Sequence, residues 1–229
     1  MRKTITAPNK AETIGGFIFL AVQLLVLQTA LLFINMLLPV PMTEAMLNFL
    51  FFSINFISVA VIFRKFLIRC GKNALSAPLA CLKTAFLGFV AYWISSIFIS
   101  ALINSVYPEF FNVNDSNLSQ MTQDNFLLMA IGTVLFVPVA EETLYRGLIF
   151  GKLYNTSPIL AYIISTLAFA ALHIVGYIGL YEPAHLLLCL LQYIPAGFCL
   201  GWAYAKANSI WAPVFIHISI NLIAILSMR

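Results

Sequence analysis

Charge is what this chain lacks most. Of its 229 residues, 9% are Asp, Glu, Lys or Arg and 62% are hydrophobic. A soluble domain averages roughly a quarter charged residues. So few charges cannot cover a water-facing surface, and this excludes an ordinary soluble globular protein. The four cysteines, Cys70, Cys81, Cys189 and Cys199, show no C-x-x-C spacing. They read as packing residues rather than a disulfide framework or a thiolate metal site. Internal repeats, low-complexity tracts and domain linkers are absent, as is the helix-borne zinc motif H-E-x-x-H. The apolar runs are continuous and do not alternate, which argues against a transmembrane β-barrel.

Long apolar runs are what the chain does have. Stretches of roughly 18 or more mostly apolar residues are the signature of membrane-spanning helices. The expected fold is all-α: a polytopic membrane protein of about seven transmembrane helices, a bundle enclosing an intramembrane polar cavity. The spans are expected near 15–40, 46–68, 84–107, 126–152, 158–178, 184–205 and 209–228. All of 1–229 reads as one integral membrane domain, with 1–14 a polar cytoplasmic tail. The first run, Gly15–Val40, is too long for the core of a cleavable signal peptide and reads as a retained anchor. The segment YPEFFNVNDSNLSQMTQDN reads as the one long polar loop. Thr156 or Ser157 can cap the helix opening at Pro158, and Asn208 or Ser209 the helix opening at Ile210.

Lys and Arg placement sets the expected orientation. Arg2, Lys3, Lys10, Arg64, Lys65, Arg69, Lys72, Lys83, Arg146, Lys152 and Lys206 fall on the side of the N-terminus in a seven-span chain. Arg229 falls opposite, where the loops carry Glu44, Glu109, Asp115, Asp124 and Glu182. The N-terminus is therefore expected in the cytoplasm and the C-terminus outside, in a plasma membrane, with a bacterial one the best fit. The net charge of +4 is mostly this topology signal. It gives no support to nucleic-acid binding, and the expected partner is the lipid bilayer. Oligomeric state is not legible.

An ionisable side chain inside a span costs several kcal/mol, roughly, unless it is paired or wet. Few residues qualify: Glu141, Glu142 and Arg146 in the fourth span, His173 in the fifth and His217 in the seventh. Asn221 is neutral but strongly polar. Glu142 and Arg146 are i,i+4, so they share a helix face and can pair. Glu141 is turned away by roughly 100° and lacks that local partner. It needs water, a metal or a histidine. His217 and Asn221 again share a face, as do Phe169 and His173. Counted from a turn near Asn155, Glu141 and His173 lie roughly 21 and 27 Å along neighbouring helices, which puts them at similar depth. Pro138, Pro195 and Pro213 bend helices around this cluster and suit a water-filled cavity. His185 and the tryptophans Trp93, Trp202 and Trp211 read as interfacial or lipid-facing residues.

EETLYR, FAALH and HISIN, in this order on successive apolar helices, match E-E-x-x-x-R, F-x-x-x-H and H-x-x-x-N. Together they resemble the CPBP (CAAX protease and bacteriocin-processing, ABI) intramembrane endopeptidases. That family includes type II CAAX prenyl endopeptidases and lysostaphin resistance protein A-like proteins. The resemblance covers residues 125–227 as core helices. It implies an intramembrane protease with Glu141 as the base that activates water, helped by His173. His217 and Asn221 would bind the developing oxyanion, and Glu142 and Arg146 would hold the geometry. Glu141, His173 and His217 are also a His₂Glu zinc set, so the resemblance leaves metallo- and glutamate-type catalysis open. Water activation without a required cofactor is the preferred reading, with Zn²⁺ the alternative. The expected substrate is a membrane-tethered, lipid-modified or hydrophobic leader peptide. A non-catalytic immunity or regulatory protein that keeps the motif helices is the rival. A small transporter would lead one to expect an internal repeat, and none is visible.

Overall fold

A computed structural model describes residues 4–229. Arg2 and Lys3, counted above in the charge bias, lie outside the described residues. The described chain is helical, with a single isolated bridge between Ile178 and Tyr181 in place of any strand. Its helices are α1 Lys10–Met36, α2 Glu44–Ile62, α3 Arg64–Ser76, α4 Pro78–Val106, α5 Val113–Asp124, α6 Phe126–Tyr154, α7 Pro158–Leu172, α8 Pro183–Ala207 and α9 Trp211–Ser227.

Five of these, α1, α2, α4, α6 and α8, are long and apolar enough to cross a membrane. The expected fifth and seventh spans are shorter: α7 has 15 residues and α9 has 17. The polytopic all-α architecture stands, and the count of seven does not follow from helix length. The expected second span also stops early. Phe63 leaves helical geometry at φ −99°, ψ 18°, and α3 begins after it. Phe63, Phe66 and Cys70 form a buried stripe at i, i+3 and i+7, and Arg64, Lys65 and Lys72 stay exposed. This basic amphipathic helix closes one end of the bundle.

The expected long polar loop is largely helix α5. Asn112 caps it, its Oδ1 accepting from the amides of Asn114 at 3.0 Å and Asp115 at 3.3 Å. Val113, Met121 and Thr122 are buried, so the polar segment packs on the bundle instead of standing off in water.

The chain before α1 is also tied down. Asn9 and Glu12 form a reciprocal capping box, each accepting the other's amide at 2.9 Å. Helix α1 thus starts within the stretch read as a tail. Glu12 also accepts from the Phe66 amide at 2.6 Å and from Arg69 Nη2 at 3.1 Å. Asn155 and Ile5 exchange two hydrogen bonds, at 2.9 and 3.0 Å. Thr6 donates its amide to Asn208 Oδ1 and accepts from the hydroxyl of Tyr204. The segment laces together the α6–α7 and α8–α9 turns.

The core runs through Phe63, Phe66, Leu148, Phe150, Leu200, Tyr204, Ile210 and Ile216, all fully buried or nearly so. Helix α8 packs against α4, α7 and α9. All four cysteines are buried and free.

The backbone is irregular where the polar residues sit. Three stretches widen to π-helix: Gln23–Leu27 in α1, and Gly132–Phe136 and Glu142–Phe150 in α6. Such bulges recur at functional sites. Pro138 lies two residues past the end of one of them, where its missing amide donor falls beside an already irregular ladder. Pro195 lies inside α8. Pro213 is only the third residue of α9. The first-turn amides have no intrahelical acceptor, so Pro213 breaks nothing and the expected bend there does not follow.

Candidate active site

A cavity of about 670 Å³ opens within the bundle. Glu141, His173, His217 and Asn221 all line it. The polar groups that the sequence places on three separate helices therefore face one space. Glu142 and Arg146 sit behind its wall, each fully buried.

The centre of the arrangement is Glu142. Its Oε1 accepts from Arg146 Nη1 at 3.2 Å and from His217 Nδ1 at 2.9 Å. The i,i+4 pair expected from spacing forms, although this part of α6 is π-helical. Arg146 reaches further. Its Nη2 donates to the Gly197 carbonyl at 3.4 Å, and its guanidinium lies 4.1 Å from the centre of the Phe169 ring. A buried charge pair gains from such extra contacts, because each must replace lost water. The link from Glu142 to His217 crosses from α6 to α9 and was not readable from local spacing.

That link directs His217. With Nδ1 held on Glu142, Nε2 points toward Glu141, whose Oε2 lies 4.0 Å away. Among the described residues Glu141 Oε2 has no hydrogen-bond partner, and neither has Glu142 Oε2. Of the two carboxylates, Glu141 is the one that lines the cavity.

His173 stands at the C-cap of α7, not within a longer span as expected. Its Nδ1 lies 2.9 Å from the Phe169 carbonyl. A carbonyl only accepts, so Nδ1 carries the proton and Nε2 is left as an acceptor. Tyr193 stacks on the His173 ring, with centroids 4.0 Å apart and planes at 21°. The Tyr193 hydroxyl lies 3.2 Å from Asn112 Oδ1 and 3.1 Å from Asp115 Oδ1, and it accepts from Asn114 Nδ2 at 3.1 Å. Helix α5 thereby braces Tyr193, and Tyr193 braces His173. Nothing in the sequence singled out Tyr193, since a tyrosine in an apolar helix reads as an interface residue.

Asn221 donates Nδ2 to the Thr133 carbonyl at 2.8 Å. An amide nitrogen has two protons, so one donor stays available to the cavity. His185 lies apart from this site, among the rings of Tyr107, Phe110, Phe111 and Tyr181.

Zinc needs three protein donors closing on one point. Among the described residues no group of three His, Cys, Asp or Glu side chains is placed to hold a metal ion. Glu141, His173 and His217 share the cavity without forming such a set.

Comparison with known proteins bears on the same helices. Residues 123–223 match the family of type II CAAX prenyl endopeptidase Rce1-like proteins. Over 100 residues the chain is 33% identical to "Putative membrane peptidase YdiL" of Bacillus subtilis (strain 168), which covers 43% of this chain and 36% of that protein. Over 141 residues it is 26% identical to "UPF0177 protein YxdF" of Lactococcus lactis subsp. lactis (strain IL1403), which covers 57% of this chain and 73% of that one. The chain thus spans little more than a third of the first relative's length. No solved structure matches. The matched region contains every cavity group named from the motifs, and its family is the one those motifs resemble.

Proposed function

We propose that this chain, an integral membrane protein that is Rce1-like over residues 123–223, is an intramembrane endopeptidase that hydrolyses its substrate by direct attack of water. The observation that carries the reading is the pairing of an unpartnered Glu141 oxygen with a shared polar cavity that also receives His173, His217 and Asn221.

In this reading a water sits between Glu141 and His173. Glu141 takes a proton from it, and His173 accepts a hydrogen bond through Nε2 and orients it. A base placed this way contributes roughly 10²- to 10⁴-fold. The water oxygen attacks the peptide carbonyl, and charge develops on the carbonyl oxygen. The spare amide proton of Asn221 supports that oxygen. His217 does so from Nε2 in its imidazolium form, the form that donates from both nitrogens. Donors fixed before reaction stabilise such charge without reorganising. Glu141 then returns its proton to the leaving amine. Glu142 and Arg146 hold His217 in place and do not touch substrate. Water is activated without a metal in this reading, and every step is assigned to the chain's own residues.

The substrate is a membrane-tethered peptide, of CAAX or leader type. It is cleaved in a plasma membrane, with the N-terminus of the protease in the cytoplasm and its C-terminus outside. Purified protein in liposomes, given prenylated CAAX-type and apolar leader peptides, tests this. Cleavage that disappears in both Glu141→Ala and His173→Ala supports the site. Cleavage surviving both changes moves the chemistry elsewhere. No cleavage of any membrane peptide, with peptide binding intact, favours a non-catalytic binding protein.

A further inference from the structure

Three buried side chains line the same cavity and have no task in the chemistry above: Gln23, Asn55 and Thr133. They are 6%, 4% and 6% exposed. In each, an oxygen lacks any hydrogen-bond partner among the described residues: Oε1 of Gln23, Oδ1 of Asn55 and Oγ1 of Thr133. For Asn55 the roles of the two amide atoms are fixed. Its Nδ2 donates to the Phe51 carbonyl at 2.8 Å, which turns Oδ1 away as the acceptor. Buried polar atoms left unpaired are costly and rare. Three of them belong to side chains that line one cavity, and all can accept a hydrogen bond from a ligand rich in N–H donors.

Helix register brings the three together. Helices α1 and α2 run antiparallel. A Cβ on Gly16 would collide with Phe63, so these residues are level. Seven residues further along α1, Gln23 is level with Phe56. Helices α2 and α6 run in the same direction, because Gly132 abuts Phe52 and Phe136 stacks on Phe56 at 4.9 Å. Gln23 and Asn55 therefore stand near the level of Phe136, with Thr133 within one turn. Two of the three sit in π-helical segments, Gln23 in α1 and Thr133 in α6. Thr133 is joined to the site itself, since its carbonyl receives Asn221 Nδ2.

We propose that Gln23, Asn55 and Thr133 form a subsite that accepts hydrogen bonds from the backbone N–H groups of the substrate peptide. The distance fixes which part of the peptide it holds. From this level to Glu141 is five to eight residues of α6, roughly 8 to 12 Å. An extended strand rises about 3.3 Å per residue. The subsite thus reads the main chain about three residues from the scissile bond. It reads no side chain, so it binds peptides of differing sequence provided they are extended. The proposal rests on the hydrolytic reading, which supplies the peptide.

The test is an ester scan. Replacing one backbone N–H by O in a prenylated CAAX-type peptide removes one donor and keeps the chain's shape. Cleavage by the parent protein is expected to show one sensitive position, about three residues from the cut, where KM rises roughly three- to tenfold. In Asn55→Leu or Thr133→Val the same ester should cause no further rise. Thr133→Val should melt no lower than the parent, because a methyl replaces an unpaired buried hydroxyl, whereas Asn55→Leu removes an unpaired oxygen and also gives up the bond to Phe51. That combination separates a ligand role from a structural one. An ester effect unchanged in both variants overturns the subsite, as does a scan with no sensitive position. Should Asn55→Leu fail to fold, Thr133→Val decides alone. The same scan, read as peptide affinity for Glu141→Gln protein, separates the two claims. If the parent cuts nothing but binding is ester-sensitive in an Asn55-dependent way, hydrolysis fails and the subsite stands. If cleavage depends on Glu141 but binding ignores the esters, or no peptide binds, the subsite fails.

Discussion

His217 Nδ1 lies 2.9 Å from Glu142 Oε1, the same oxygen that receives Arg146 Nη1 at 3.2 Å. One carboxylate oxygen therefore couples a structural cation to a cavity histidine, and α6 to α9. Both Glu142 and Arg146 are fully buried, so neither can fall back on water if its partner is lost.

Glu142→Ala should destabilise the fold by about 3–5 kcal/mol, the usual effect of stranding one member of a buried pair. The double change Glu142→Leu with Arg146→Met should cost less than Glu142→Ala alone, because no buried charge is left unpaired. Thermal melts in one detergent would check the order. A double variant less stable than Glu142→Ala would show that Arg146 is held mainly by Gly197 and Phe169.

Tyr193 offers two separable contributions, a ring stacked on His173 and a hydroxyl held by α5. Tyr193→Phe keeps the stack and should lower kcat by about threefold or less. Tyr193→Leu loses it and should lower kcat by roughly tenfold, given the usual worth of an aromatic pair. KM should change less than kcat in both. Equal losses in the two variants would assign the effect to α5 rather than to the stack.

This pair also marks what could be read in advance. The Glu142–Arg146 contact follows from i,i+4 spacing, and the motif order placed Glu141, His173, His217 and Asn221 around one space. Those are local or repeating signals. The brace on His173 is neither. It depends on α5, whose polar sequence reads as loop until Asn112 caps it and Val113, Met121 and Thr122 pack inward. The position of His173 at the end of α7 was hidden as well, because the apolar run continues past the point where the helix stops. The break at Phe63 was hidden for the same reason: hydropathy does not report where a chain turns.

Asn208 has φ 52°, in the left-handed region, and its Oδ1 accepts the Thr6 amide at 2.6 Å. Asn208→Gly keeps the backbone geometry and loses the bond, and should cost about 0.5–1.5 kcal/mol. Asn208→Ala loses the bond and adds left-handed strain of roughly 1–2 kcal/mol. Melts of the two variants should therefore differ, with alanine lower. Equal melts would mean that the N-terminal segment and not the turn geometry sets the effect.

Metal removal gives a fourth expectation. With no metal step in the mechanism, dialysis against a chelator should leave cleavage of a liposome-bound peptide unchanged. Loss of activity restored by zinc alone would transfer the role of Glu141, His173 and His217 to ligation.

The central claim is that Glu141 is the base. Single-turnover cleavage of a prenylated CAAX-type peptide by Glu141→Gln protein in liposomes tests it most directly, with peptide affinity measured on the same sample. The account predicts a rate lowered by roughly 10²- to 10⁴-fold with affinity retained within a few fold. A rate near that of the parent protein, at equal affinity, would contradict it.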